Sequence, residues 1–140
     1  MVILKLGQMN RVVTAFALVA AVFSGNAIAQ NKGPIRIGVL APSTGPLAGP
    51  GAEMIDGLKM FWEKNNYTSG GRKVELVIAD TTCNPDQALT QARRLALQEK
   101  VNFLLGPLCG HEGPAVAQVS KETGIPLVLD PAGADTNTKW

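Results

Sequence analysis

Three residues carry the sharpest chemistry in this 140-residue chain: Cys83, Cys109 and the single histidine, His111. Cys109 and His111 stand two apart within residues 106–112 (GPLCGHE), a spacing that admits a thiol nucleophile beside an imidazole base or the start of a metal site. The first reading requires a free thiol, and Cys83 competes as a partner for Cys109. The second lacks a third ligand nearby in sequence. His111 reads equally as an ordinary exposed loop residue or as a polar contact in a crevice. Asp80 and Asp130 each close an apolar run; carboxylates so placed can do acid-base work, but they more often cap loops, and no partner acid is evident. Residues 45–51 (GPLAGPG) have neither the Gly-Lys-Ser/Thr of a phosphate-binding loop nor the G-x-G-x-x-G spacing of a dinucleotide site. No catalytic constellation is complete, so the expectation is a non-enzyme without metal or cofactor.

The elements that position these residues begin after a leader. Lys5 and Arg11 precede an uncharged apolar run at 12–23 (VVTAFALVAAVF), and Ala27-Ile28-Ala29 is a small-x-small cleavage site before Gln30. This is a secretory signal peptide at 1–29, because the run stops short of the ~20 apolar residues that a membrane span needs. Gln30 is not a cysteine, so no thiol for lipid attachment follows the cut, and a freely soluble periplasmic product is expected. Taking Lys5 and Arg11 from the 13 basic residues leaves 11 against 11 acidic ones. A mature chain with no net charge and only the scattered pairs Arg72-Lys73 and Arg93-Arg94 has no basic patch for nucleic acid; those pairs read as solvated surface. In an oxidising compartment a Cys83–Cys109 disulfide is the default expectation, with reactive free thiols as the alternative. Such a bridge closes a loop of about 26 residues and contributes about 3–4 kcal/mol in the chain-entropy account.

Residues 35–40 (IRIGVL) form a β-branched apolar run that suits a strand buried on both faces. A Gly/Pro-rich loop at 41–51 leads to an amphipathic helix at 52–65, with Met54, Ile55, Leu58, Phe61 and Trp62 on one face. Ser69-Gly70-Gly71 turns the chain into a strand at 73–79. Asn84, Pro85 and Gln87 form a variant capping box for a helix running to about residue 98, which buries Ala88, Leu89, Ala92, Leu95 and Ala96. A strand at 101–105, a helix at 114–123 ended by Gly124, and a strand at 126–129 complete the pattern. Strands alternating with helices on short connections predict a parallel, doubly wound α/β sheet in one domain. Its ligand crevice lies among the loops at the carboxyl ends of the strands, residues 41–51, 80–84, 106–113 and 130–135. Rich in Gly, Pro and small residues, these loops suit binding of a carboxylate through backbone N–H groups and helix N-termini.

Four segments in order carry a family resemblance: residues 35–48 (IRIGVLAPSTGPLA), 71–80 (GRKVELVIAD), 83–88 (CNPDQA) and 106–109 (GPLC). They resemble the leucine/isoleucine/valine-binding proteins of ABC transporters, which have the type I periplasmic-binding fold, and the likeness runs from about Lys32 to the end. The resemblance implies a two-lobed protein that closes on a small-molecule solute and presents it to a permease in the inner membrane. It places the family's disulfide on Cys83 and Cys109. It places the cleft mouth on Ser43, Thr44 and Pro50, and the positions holding an amino acid's carboxylate and ammonium on Gly110, His111, Ala132, Gly133 and Ala134.

Gly110 stands where the amino-acid binders carry Ser, and Ala134 where they carry Thr. The resemblance implies a role in amino acid transport, with a branched-chain amino acid or a related small carboxylate or amide as solute. A lost hydrogen bond to a charged group costs about 1.5–3 kcal/mol, which disfavours plain leucine and points to an amide or aromatic acid. Residues 30–140 then correspond to the N-terminal part of the first lobe, ending after about four strands, with instability or self-association expected from the open sheet edge. The alternatives are a receptor-type sensing module, or an exported small hydrolase or redox protein using Cys109 and His111.

Overall fold

The computed structural model describes residues 33–129; the leader at 1–29 and Asp130, Ala132, Gly133 and Ala134 lie outside the described residues. Strand β1 (Ile35–Ala41) leads to helix α1 (Ala48–Lys64), then to β2 (Thr68–Ser69) and β3 (Arg72–Asp80). Helix α2 (Pro85–Arg93) runs into a π-helical turn (Arg94–Gln98), followed by β4 (Phe103–Leu105), a 3-10 turn (Gly110–Glu112), α3 (Gly113–Thr123) and β5 (Leu127–Val128). The sheet order is β2-β3-β1-β4-β5. β1 pairs parallel with β3 from Ile35 opposite Val74 to Ala41 opposite Asp80, and parallel with β4 from Ile37 opposite Phe103. β4 continues parallel to β5, while β2 adds a short antiparallel hairpin at the β3 edge. The chain winds from β1 to one side and then crosses back to the other, so the reversal falls between β1 and β4, and the doubly wound α/β expectation holds.

Alternation along the strands sorts the core into two layers. Ile37, Val39 and Val74 face α1 through Met54, Leu58 and Trp62. Leu40, Ala79 and Leu104 face α2 and α3 through Ala88, Ala92, Leu95, Val116 and Val119. The small alanines of α2 bring it close to the sheet, and the β-branched runs tolerate burial on both faces. Phe61, expected on the packed face of α1, is instead exposed and meets the half-buried Trp62 edge-to-face at 5.1 Å.

Helix α1 starts at Ala48, four residues before the expected boundary. Proline is tolerated in a first turn, where its missing N–H has no helical partner in any case. Gly51 is buried there, and a Cβ on it would stand 1.8 Å from the Pro42 carbonyl oxygen. The Gly-Pro-Gly segment is thus a close contact inside a helix rather than loop. At α2 the Asn84 side chain accepts hydrogen bonds from the N–H groups of Asp86 (2.9 Å) and Gln87 (3.1 Å). The return half of the expected capping box is supplied differently, since the Asn84 N–H donates to the Thr81 carbonyl at 2.9 Å. The helix does not run uniformly to residue 98: the wider π-helical turn buries the adjacent Leu95 and Ala96. Arg94, expected to be solvated, is half-buried and bonds Gln91 and Glu99, and Glu99 also receives Arg36 at 2.9 Å.

Candidate functional site

Asp80 ends β3 and gathers the neighbouring loop around its carboxylate. Oδ1 accepts from the backbone N–H of Ser43 (2.8 Å) and of Thr82 (2.9 Å), and Oδ2 accepts from the Thr44 hydroxyl at 2.6 Å. Its partial burial pulls the pKa upward, but the bonds from the Thr44 hydroxyl and the backbone of Thr82, Ser43 and Thr44 outweigh that and hold the carboxyl below its ordinary value. The residue is therefore a loop cap, not an acid poised to exchange protons. Thr44 spends its hydroxyl proton on Asp80, so towards a solute it offers lone pairs. Ser43 is exposed beside it, and the exposed Pro50 lies in the first turn of α1, which starts at the same sheet edge.

The loop after β3 is held in a costly conformation. Thr82 and Cys83 have φ of +52° and +56°, a region that costs a residue with a side chain roughly 1–2 kcal/mol. Three ties offset this: the Asp80 bond to Thr82, the Asn84 bond to Thr81, and a disulfide from Cys83 to Cys109 with a Cα separation of 5.7 Å. In the loop after β4, Gly106 has φ +100°, and a Cβ there would stand 2.3 Å from the Leu40 carbonyl oxygen. That clash makes glycine the residue that fits, and it lets the chain turn tightly over the end of β1.

His111 is exposed on the 3-10 turn, and its Nε2 lies 3.0 Å from the Cys83 carbonyl oxygen. A carbonyl only accepts, so Nε2 carries the hydrogen in this contact. Cys109 has no thiol to activate, because its sulfur is bonded to Cys83, and this removes the Cys109–His111 nucleophile pair. The Cys83, Cys109 and Glu112 ligand atoms lie within 4.8 Å of one another, but with both sulfurs in the disulfide the group offers a metal a single carboxylate.

Two residues that sequence reasoning passed over lie directly below. Thr81 and Glu112 are both 0% exposed, and the Thr81 hydroxyl and both Glu112 carboxyl oxygens have no closed hydrogen bond. Burial pushes the Glu112 carboxyl above the usual range. The Thr81 hydroxyl, the backbone of Cys109, His111 and the backbone of Asn84 pull the other way without overcoming it. A buried polar group without a partner costs roughly 1–3 kcal/mol, so this pair is expensive to keep. The signal in the sequence was a lone carboxylate between His111 and Gly113, in a loop otherwise of small and apolar residues.

The structure thus brings Ser43, Thr44, Gly110 and His111 to one edge of the sheet, together with the first turn that holds Pro50. A periplasmic binding protein family model matches residues 34–140, and the chain belongs to that family. A Leu/Ile/Val-binding protein homologue from Brucella suis is 38% identical over 122 residues, 86% of this chain and 30% of the relative. A branched-chain amino acid transporter substrate-binding protein from Streptococcus pneumoniae, solved with isoleucine, matches 76% of this chain and 31% of its own, at TM-score 0.70 and 27% identity. A solute-binding protein of an ABC transporter from Rhodopseudomonas palustris, solved with p-hydroxybenzoic acid, matches 76% of this chain and 29% of its own, at TM-score 0.70 and 29% identity. The chain spans under a third of the length of these relatives.

Proposed function

We propose that this chain contributes the first-lobe half of a solute cleft in the extracytoplasmic binding component of an ABC transporter, and that its solute is a small carboxylate. Residues 1–29 act as a signal peptide cut after Ala29, and residues 30–140 form part of the first lobe, working in the periplasm with a permease in the inner membrane. The observation that carries the reading is the convergence of three loops at the reversal of the sheet, braced by Asp80 and the disulfide rather than armed with an acid-base pair. Ser43, Thr44, Pro50, Gly110 and His111 line the described part of the mouth, and Ala132, Gly133 and Ala134 complete it in this proposal.

The relatives hold isoleucine in one case and p-hydroxybenzoic acid in another. Gly110 and Ala134 carry no hydroxyl for an ammonium group, which favours an aromatic acid over leucine. The test is thermal unfolding and calorimetry of the protein exported by its own leader and purified from the periplasm, with a panel of amino acids, amides and benzoates. A benzoate should raise the melting temperature by mass action, and Gly110→Ser should strengthen leucine binding by about tenfold or more. A cooperative melt that no carboxylate shifts sinks the proposal.

A further inference from the structure

Among the described residues, Thr81 and Glu112 are the polar side chains of the buried core, and they face each other across the two loops that frame the cleft. Thr81 is fixed by its backbone: its N–H donates to the Ala41 carbonyl at 3.2 Å, extending the β1–β3 ladder. Glu112 closes the 3-10 turn, with its N–H on the Cys109 carbonyl at 3.0 Å, and is the residue from which α3 starts. A link between these side chains would run beside the disulfide, whose sulfurs lie within 4.8 Å of a Glu112 carboxyl oxygen. It would bind the same two segments at a second point.

We propose that Glu112 is a positioning residue for solute binding: its carboxyl pairs with the Thr81 hydroxyl, directly or through one buried water, and the pair fixes the turn that carries Gly110 and His111. The inference rests on the cleft reading given above. The groups facing the carboxyl are a hydroxyl and the backbone of Cys109 and Asn84, with both neighbouring sulfurs in the disulfide, so the spot is not built to hold a cation. A neutral carboxyl has one O–H to give and acceptor capacity to spare, and a hydroxyl can do both. A water between them would find the polar partners it needs. His111 is the titratable group that acts on Glu112 here. Glutamine matches the neutral carboxyl in shape and keeps both a donor and an acceptor, whereas alanine keeps neither.

The experiment combines amide hydrogen exchange, solute calorimetry and a carbon-13 titration of the Glu112 carboxyl on wild type, Glu112→Ala and Glu112→Gln. Glu112→Ala should speed exchange in residues 81–84 and 109–112 and weaken binding of a benzoate by about tenfold, and Glu112→Gln should restore both. Unchanged exchange and affinity in Glu112→Ala overturn the proposal, as does a Glu112→Gln variant as impaired as the alanine. A carboxyl that titrates in the ordinary glutamate range also overturns it. If Glu112→Ala does not fold, Thr81→Val removes the hydroxyl at nearly constant shape and must produce the same loosening; wild-type exchange in that variant again overturns the idea. Should no benzoate or amino acid bind wild type, the functional reading fails, while the exchange data still decide whether Glu112 fixes the turn.

Discussion

Asp80 and Glu112 lie in neighbouring loops at the same edge of one sheet and are shifted in opposite directions. Asp80 is half-exposed and accepts three closed hydrogen bonds, so its ionised form is favoured; Glu112 is wholly buried with none closed, so its neutral form is favoured. The difference is one of solvation and donor supply, not of residue type. Oppositely shifted carboxyls can mark an acid and a base of catalysis, but here Asp80 is spent on the loop N–H groups and the Thr44 hydroxyl, and Glu112 is shut away from solvent beside the disulfide. This edge of the sheet is a frame braced by the Asp80 bonds and the disulfide.

The largest expected effect comes from cutting the brace that both regions share. Replacing both cysteines, Cys83→Ser with Cys109→Ser, should cost about 3 kcal/mol in urea unfolding. Hydrogen exchange should rise more at 109–112 than at 43–44, because the latter segment keeps its bonds to Asp80. Equal loosening would mean that Asp80 does not hold its own side.

Next in size is Asp80→Ala, which strands the Ser43 and Thr82 N–H groups and the Thr44 hydroxyl; about 2 kcal/mol is expected at neutral pH. The pH dependence gives the sign. Because the folded pKa of Asp80 is lowered, its contribution is complete above the ordinary aspartate range and drains away as pH falls through the lowered value. Asp80→Asn should flatten that acid limb. An acid limb unchanged in the variant would remove Asp80 from the account.

Glu112 should act in the other direction and more gently. With its folded pKa raised, stability is greatest while the side chain is protonated in both states, and is lost as pH rises from the ordinary glutamate range through the raised value. Glu112→Gln should abolish that decline with rising pH in the urea midpoint while leaving the Asp80 limb intact. A decline that persists in the variant would assign it to another group.

The contrast between these two carboxyls also marks what the sequence could reveal. The strands were legible because parallel strands buried on both faces read as unbroken apolar runs, and α2 announced itself through Asn84 and Pro85. The start of α1 was hidden because Gly-Pro-Gly is a loop signal locally, while the close approach of Gly51 to Pro42 is a tertiary fact. The disulfide followed from export and cysteine count. Glu112 was not legible: its burial is produced by Thr81 and the disulfide, which meet it only once the β3 and β4 loops have converged. His111 could be placed in the right loop, but not on the Cys83 carbonyl, for the same reason.

The smallest expected effect is a gain. Thr82 and Cys83 both sit at positive φ, and the ties that hold them there are shared between the Asp80 side and the Glu112 side. Glycine relieves the roughly 1–2 kcal/mol that a β-branched residue loses in this region, but it gives back about 0.5–1 kcal/mol through the entropy of the unfolded chain. Thr82→Gly should therefore stabilise the fold by about 0.5 kcal/mol, read from the urea midpoint at constant slope. The Thr82 N–H is retained, so the bond to Asp80 and the acid limb should not change. A destabilised variant would mean that the Thr82 side chain itself supports the loop, and that the brace includes a contact beyond the hydrogen bonds and the disulfide.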